Sequence, residues 1–210
     1  MEIHSPHPIH SVKDFLLQLL TITIGILIAL TLEGTLERAH HRRLIHEAEA
    51  NLSTEIHENQ VEITQGMQAL RTNEQQLKQM VTLIHKLQQN RATPVGNISF
   101  SWTLDELHAT SWNTAGATGA LAYMDYGEVK RYTRVYDLQH EFMAVQNRAF
   151  DSIVAVYGLS TLLQKDKRKL GDSELSHAES VLGLALANAG AVESVENSLN
   201  EEYTKLLQKR

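Results

Sequence analysis

Phe15–Leu32, FLLQLLTITIGILIALTL, is the stretch that decides how this chain reads. It carries no charge and runs for about 18 residues, close to the shortest helix that crosses a bilayer core of roughly 30 Å. A secretory signal has a shorter apolar core, about 7–15 residues, with a small-x-small cleavage site after it. Here Glu33-Gly34-Thr35-Leu36-Glu37 follows instead, in residues compatible with continued helix. The expected organisation is a tail over 1–11, an uncleaved transmembrane helix over 12–32 and a helical domain in water over 33–210.

Working outward, residues 1–10 hold Pro6, Pro8, His4, His7 and His10 and read as an irregular tail. Ser11 is the expected N-cap, with Asp14 in the favourable first turn. Downstream of the span the only proline is Pro94, so helix dominates. A long helix is expected over 33–91. Its apolar stripe is Ile45, Ala48, Leu52, Ile56, Ile63, Met67, Leu70, Leu77, Val81, Ile84 and Leu87, with Asn59 and Glu74 filling two gaps. Ile45, Ile56 and Met67 suggest an eleven-residue period, passing to heptads after Met67. A distal loop and short helix are expected over 92–126, opened by a Thr103–Glu106 capping box. Helices over 128–165 and 172–208 follow. The first carries Tyr132, Tyr136, Phe142, Ala149, Ile153, Val156 and Leu163. The second carries Leu175, Ala178, Val181, Ala185, Val192, Val195, Leu199, Tyr203 and Leu206. Lys165, Lys167, Arg168 and Lys169 suit the C-terminal end of the first, Gly171 its cap, and Asp172 or Ser173 the start of the second. No stretch alternates with period two. The fold class is all-α: one N-terminal transmembrane helix continuing into an elongated antiparallel bundle, out along 33–91, back along 128–165 and out again along 172–208.

Composition narrows function. Lysine and arginine total 19 against 25 aspartates and glutamates, a formal charge of -6. Such a chain is poorly suited to nucleic acid, whose binding rests on phosphate neutralisation. The absence of cysteine excludes disulfides, thiolate metal sites and cysteine nucleophiles.

Three groups of residues stand out as candidate sites. Gln18, Thr21, Gly25 and Ala29 share one face of the span as a small-xxx-small ladder beside an amide, a pattern that suits oligomerisation in the membrane. Arg38, His40, His41, Arg42 and Arg43 form a collar just past the span, placed to meet lipid headgroups. Trp102, Trp112, Gly116 and Gly119 read as a distal tip, closing the bundle or docking a partner.

Eleven histidines invite a test for metal. His46-Glu47, His57-Glu58 and His140-Glu141 begin a zinc-protease motif, but the second histidine is replaced by Ala50, Val61 and Ala144. Glu37 with His40 and Glu174 with His177 are Glu-x-x-His units of the kind found in di-iron bundles, yet the first sits in the basic collar. No metal, no cofactor and no catalytic residue is expected. There is no Walker loop or dinucleotide fingerprint, and Gly158-Leu-Ser160-Thr-Leu162 lacks the second glycine of a nucleophile elbow.

Ile24-Gly25-Ile26-Leu27-Ile28-Ala29-Leu30, followed by a charged helix with Glu-Arg and Arg-Arg pairs, resembles the anchor of a group of uncharacterised bacterial single-span membrane proteins. His10–Phe15 and His40–Ala48 resemble one branch of that group. The resemblance covers about a quarter of the chain and implies a bacterial inner-membrane location. It implies no activity.

The expected function is a membrane-anchored scaffold, structural or accessory subunit rather than an enzyme. Its expected partners are the lipid bilayer, further copies of itself and another membrane protein complex. A ligand-sensing bundle and an oligomeric channel, lined by Gln18, Thr21 and Thr31, are the rivals. Orientation is contested. Lys13 precedes the span while Arg38, Arg42 and Arg43 follow it, which favours a cytoplasmic domain. The short N-terminal tail and the resemblance favour a periplasmic one, which is the expectation adopted.

Overall fold

Between Val12 and Gln89 no proline removes a helix donor. The computed structural model describes residues 12–96, 100–164 and 170–208, with the backbone alone at 160–164. It shows one helix there, α1 (Val12–Gln89), with Asp14 in its first turn. α2 (Thr110–Ala117), a 3-10 turn (Ala120–Ala122), α3 (Tyr126–Gln164) and α4 (Asp172–Leu207) follow. Among the described residues there is no strand, and the protein is all-α. The tail over 1–11 with its Ser11 cap, the Leu163 side chain and the basic run Lys165–Lys169 lie outside what is described.

By its contacts the chain divides into Met1–Glu47 and Ala48–Arg210. In the first unit the large apolar side chains from Phe15 to Leu32 are exposed. An 18-residue window of α1 has mean hydropathy 2.4 with 0% buried, so this helix is long and apolar enough to cross a membrane. The threonine hydroxyls of this segment bond back to the helix, Thr21 to Leu17 O at 2.9 Å and Thr23 to Leu19 O at 2.8 Å. Such internal pairing is what a lipid environment requires of a polar group.

In the second unit the core is a heptad seam. On α1 the buried positions from Ile56 are Asn59, Ile63, Gly66, Leu70, Asn73, Leu77, Met80, Ile84 and Leu87, at intervals of three and four. The eleven-residue period is therefore not the one used. Met67 and Glu74 are only half-buried, because Gly66 and Asn73 take the core places beside them. α4 repeats the pattern through Leu175, Ala178, Leu182, Ala185, Ala189, Val192, Glu196, Leu199 and Tyr203. Val181 and Val195 flank that seam, partly buried. A sustained seven-residue repeat is the signature of left-handed packing.

The direction of α3 differs from the sequence expectation. Glu55 meets Tyr136, and Asn59 meets Gln139. At the other end Ile84 and Leu87 share a cluster with Ile153, Val156 and Leu159. α3 therefore runs parallel to α1. α4 is antiparallel to both: Gln60 meets Thr204 and His85 meets Glu179. Parallel neighbours need a connection as long as the bundle. Residues 100–109 supply it as a non-helical strap. An extended chain advances roughly 3.3 Å per residue against 1.5 Å in a helix, so about ten residues return what over twenty helical ones went out.

The expected capping box at Thr103 and Glu106 lies inside this strap and starts no helix. α2 begins later, at Thr110. Gly171, expected to end α3, is instead the N-cap residue of α4, where its N–H donates to Glu174 Oε2 at 2.9 Å. Asp125 caps α3, accepting from Glu128 N at 3.1 Å. Arg91, just past α1, pairs with Asp172 at the head of α4.

Candidate functional site

The strap has no helix or sheet to satisfy its backbone, so side chains do it. Three of its N–H groups, and that of Ser111 in the first turn of α2, are spaced three residues apart and each find an acceptor. Trp102 N donates to Tyr157 Oη at 3.1 Å and Asp105 N to Gln146 Oε1 at 2.9 Å. His108 N donates to Asn59 Oδ1 at 2.9 Å and Ser111 N to Glu55 Oε2 at 2.7 Å. A repeat of three residues is that of an extended polyproline-type chain, which makes no hydrogen bonds of its own. The carbonyls are held too. Gln146 Nε2 reaches Asp105 O at 2.9 Å, while Asn59 Nδ2 and Gln139 Nε2 reach His108 O at 2.7 and 2.8 Å.

These contacts engage half of the buried polar side chains among the described residues. Gln139 Oε1 also accepts from Tyr203 Oη at 2.8 Å, and Glu55 Oε1 from Tyr136 Oη at 2.7 Å. Burial, then the hydrogen bond to Glu55, pushes the Tyr136 hydroxyl well above the ordinary tyrosine range. Burial does the same to Tyr203. Both remain hydrogen-bond donors. Glu55 also serves α2, whose N-cap residue Ala109 has no capping side chain. Its carboxylate meets a first-turn N–H, where negative charge is favoured.

At Asp105 the strap lies against Gly66 of α1. A Cβ built on Gly66 would overlap the Asp105 carboxylate. Asp105 in turn faces the buried Glu196 of α4, and the two carboxyls act on each other's ionisation. Burial, the Glu62 charge and the Asp105–Glu196 pairing act on this site. Asp105 is raised to about 6, by burial first and Glu62 second. Glu196, raised by burial first and Asp105 second, stands at about 8. Near neutral pH the pair therefore holds one proton between its two carboxyls.

The candidate residues from the sequence fall elsewhere. Gln18, Thr21, Gly25 and Ala29 are exposed on α1, and space is open around a Cβ placed on Gly25. In the collar, Arg38 Nε donates to Gly34 O at 2.7 Å, Arg43 pairs with Glu47 at 3.2 Å and His41 with Glu37 at 3.9 Å. The His40 and His41 rings are 6.1 Å apart and Arg42 is exposed. Trp102 and Trp112 do not share one tip. Trp102 packs with Phe100 against the Leu77–Leu87 end. Trp112 stacks on Tyr136 at 5.2 Å, at the end where the second unit begins. Gly116 lies in ordinary contact distance of Leu121, and Gly119 takes φ 77°, the left-handed turn between α2 and the 3-10 turn. Among the described residues no three histidines, aspartates or glutamates converge as a metal site.

Gly66, Asp105, Gln139, Gln146 and Glu196 were not singled out from the sequence. Their signal was present as spacing: Asn59, Gly66 and Asn73 lie seven apart, as do Gln139 and Gln146, and Glu196 and Tyr203. Polar or small residues in a heptad register read as gaps when only apolar residues are counted.

Fold and site together define an all-α protein: a helical bundle with an internal peptide strap, on a chain whose first helix is able to cross a membrane. No family model, curated protein or solved structure matches the chain.

Proposed function

We propose that the protein is a single-pass, membrane-anchored helical scaffold or accessory subunit that self-associates and docks a partner complex. The observation that carries this reading is the division of labour along α1. Its N-terminal window is apolar and wholly exposed, while from Ala48 onward the same helix is the core seam of a bundle. The interior polar groups support a non-enzymatic role, because Asn59, Gln139, Gln146 and Glu55 are engaged with the chain's own backbone rather than grouped around a reacting centre. The exposed Thr21, Gly25 and Ala29 face supports self-association in the bilayer, where close backbone approach replaces the hydrophobic effect as the driving force. The collar from Arg38 to Arg43 then lies against headgroups.

The location proposed is the bacterial inner membrane, with the bundle in the periplasm. A C-terminal alkaline phosphatase fusion is then active; an inactive one, with a fluorescent cytoplasmic reporter, reverses the orientation. Native mass spectrometry of the full chain in detergent tests the scaffold reading. It is expected to show a dimer or larger assembly, or a co-purifying membrane protein. A monomer at every detergent and concentration, with nothing bound, removes it.

A further inference from the structure

At Asp105 the strap is clamped from three helices. Gln146 of α3 holds both its N–H and its C=O at 2.9 Å, which keeps the residue facing inward. On the α1 side its carboxylate occupies the notch over Gly66, the space any side chain there would need. On the α4 side it meets Glu196, which is 1% exposed and whose Oε2 accepts no hydrogen bond from any donor. An acid oxygen with no donor aimed at it is placed to be a donor itself. As the protonated acid, Glu196 gives that hydrogen bond to Asp105.

Little else nearby compensates charge. α1 contributes Glu62 and Arg71, and α4 contributes Glu193. Arg71 lies 3.8 Å from Glu193 with its side chain 63% exposed, so it is shared with that carboxylate and with water. α3 brings the neutral amide of Gln146. Two facing carboxyls in such a place stay together only while one proton remains between them, since two buried carboxylates repel.

We propose that the Asp105–Glu196 contact over Gly66 is a proton-operated latch on the strap. With the shared proton in place, residues 102–108 lie docked among α1, α3 and α4. When Glu196 gives its proton to solvent, Asp105 leaves the notch and the strap lifts there. No facing carboxylate repels the chain at His108, which the amides of Asn59 and Gln139 hold, so it stays tethered on that side and the release is local. The raised position of Glu196 puts the change near pH 8, with the closed state below it and the open state above. Opening bares the Gly66 notch and the Gln146 amide, a donor and acceptor pair shaped for an extended peptide. The inference rests on the bundle alone and is independent of how the first unit meets a membrane.

Hydrogen exchange of the full chain in detergent, followed by mass spectrometry and corrected for intrinsic rates, tests it. Between pH ~6 and ~9, peptides covering 102–106 are expected to lose about tenfold or more of their protection while those in α4 keep theirs. Glu196→Gln keeps the hydrogen bond and cannot ionise, so its strap is expected to stay protected throughout. Strap protection that is flat with pH in the wild type overturns the latch. So does an equal loss in Glu196→Gln, or loss in strap and helices together. A carboxyl-carbon NMR titration of the wild-type chain needs no variant: a Glu196 midpoint near pH 8 supports the proposal, and one in the ordinary carboxylate range overturns it.

Discussion

Asn59 on α1 and His108 on the strap, 49 residues apart in sequence, are joined by two hydrogen bonds: Nδ2 to O at 2.7 Å and N to Oδ1 at 2.9 Å. Gln146 treats Asp105 in the same way. A carboxamide carries the same donor and acceptor as a peptide group, so each side chain pairs with the strap as a neighbouring strand would. The bundle thereby holds an extended segment without a sheet, and the N–H and C=O of Asp105 and of His108 keep partners.

Removing Gln146 leaves the buried N–H and C=O of Asp105 unpaired, and removing Asn59 leaves the N–H of His108 unpaired. Asn59→Ala and Gln146→Ala are each expected to destabilise the bundle by about 1–3 kcal/mol. Gln75→Ala, on the exposed face of α1, should cost close to nothing. Thermal unfolding of the full chain in one detergent checks this; equal losses for all three variants would count against the pairing.

Gly66→Ala opposes two effects. Helix propensity favours alanine by roughly 0.5–1 kcal/mol. The overlap with the Asp105 carboxylate outweighs that, at about 1–3 kcal/mol for an overpacked core. A net loss is expected, partly recovered when Asp105→Ala is added. Gly183→Ala on α4, where the added methyl meets open space, should stabilise instead. Denaturant melts of the three variants decide the signs.

Stability should fall as pH rises from about 4.5 to about 8. Glu196 is raised in the folded chain, so the folded state holds a proton that the unfolded state has lost across this window. Unfolding then becomes easier with rising pH, by at most about 1.4 kcal/mol per pH unit for one group. Asp105 adds the same sign between 3.8 and about 6. Melting temperatures taken across this range should slope downward, and Glu196→Gln should flatten the slope above pH 6. A wild-type profile rising from pH 5 to 8 would contradict the assignment.

Gly25→Leu is expected to weaken association in detergent by blocking close approach of two spans. Leu27→Ala, off that face, should leave it unchanged. Analytical ultracentrifugation of both variants against the wild type reads the difference; identical distributions for all three would place the contact elsewhere.

Much of this architecture was legible in the residues themselves. Phe15–Leu32 is apolar and uncharged enough to identify the exposed helix. The absence of proline from Val12 to Gln89 was enough to make α1 continuous, since nothing there removes a donor or forces a turn. The stripe ending in Leu77, Ile84 and Leu87, and the one opening with Leu175, Ala178 and Ala185, marked real core faces.

Three things were decided only by the tertiary structure. The direction of α3 was one, because an amphipathic stripe packs against a parallel or an antiparallel partner and does not encode which. The strap was another: Thr103 and Glu106 have the local chemistry of a helix start, but the N–H groups around them are taken by Gln146, Asn59 and Tyr157 from distant parts of the chain. The site was the third. Gly66, Asp105 and Glu196 are unremarkable alone, and their chemistry exists only because the heptad seam buries two carboxyls face to face, where water no longer screens them and a single proton settles whether they attract or repel.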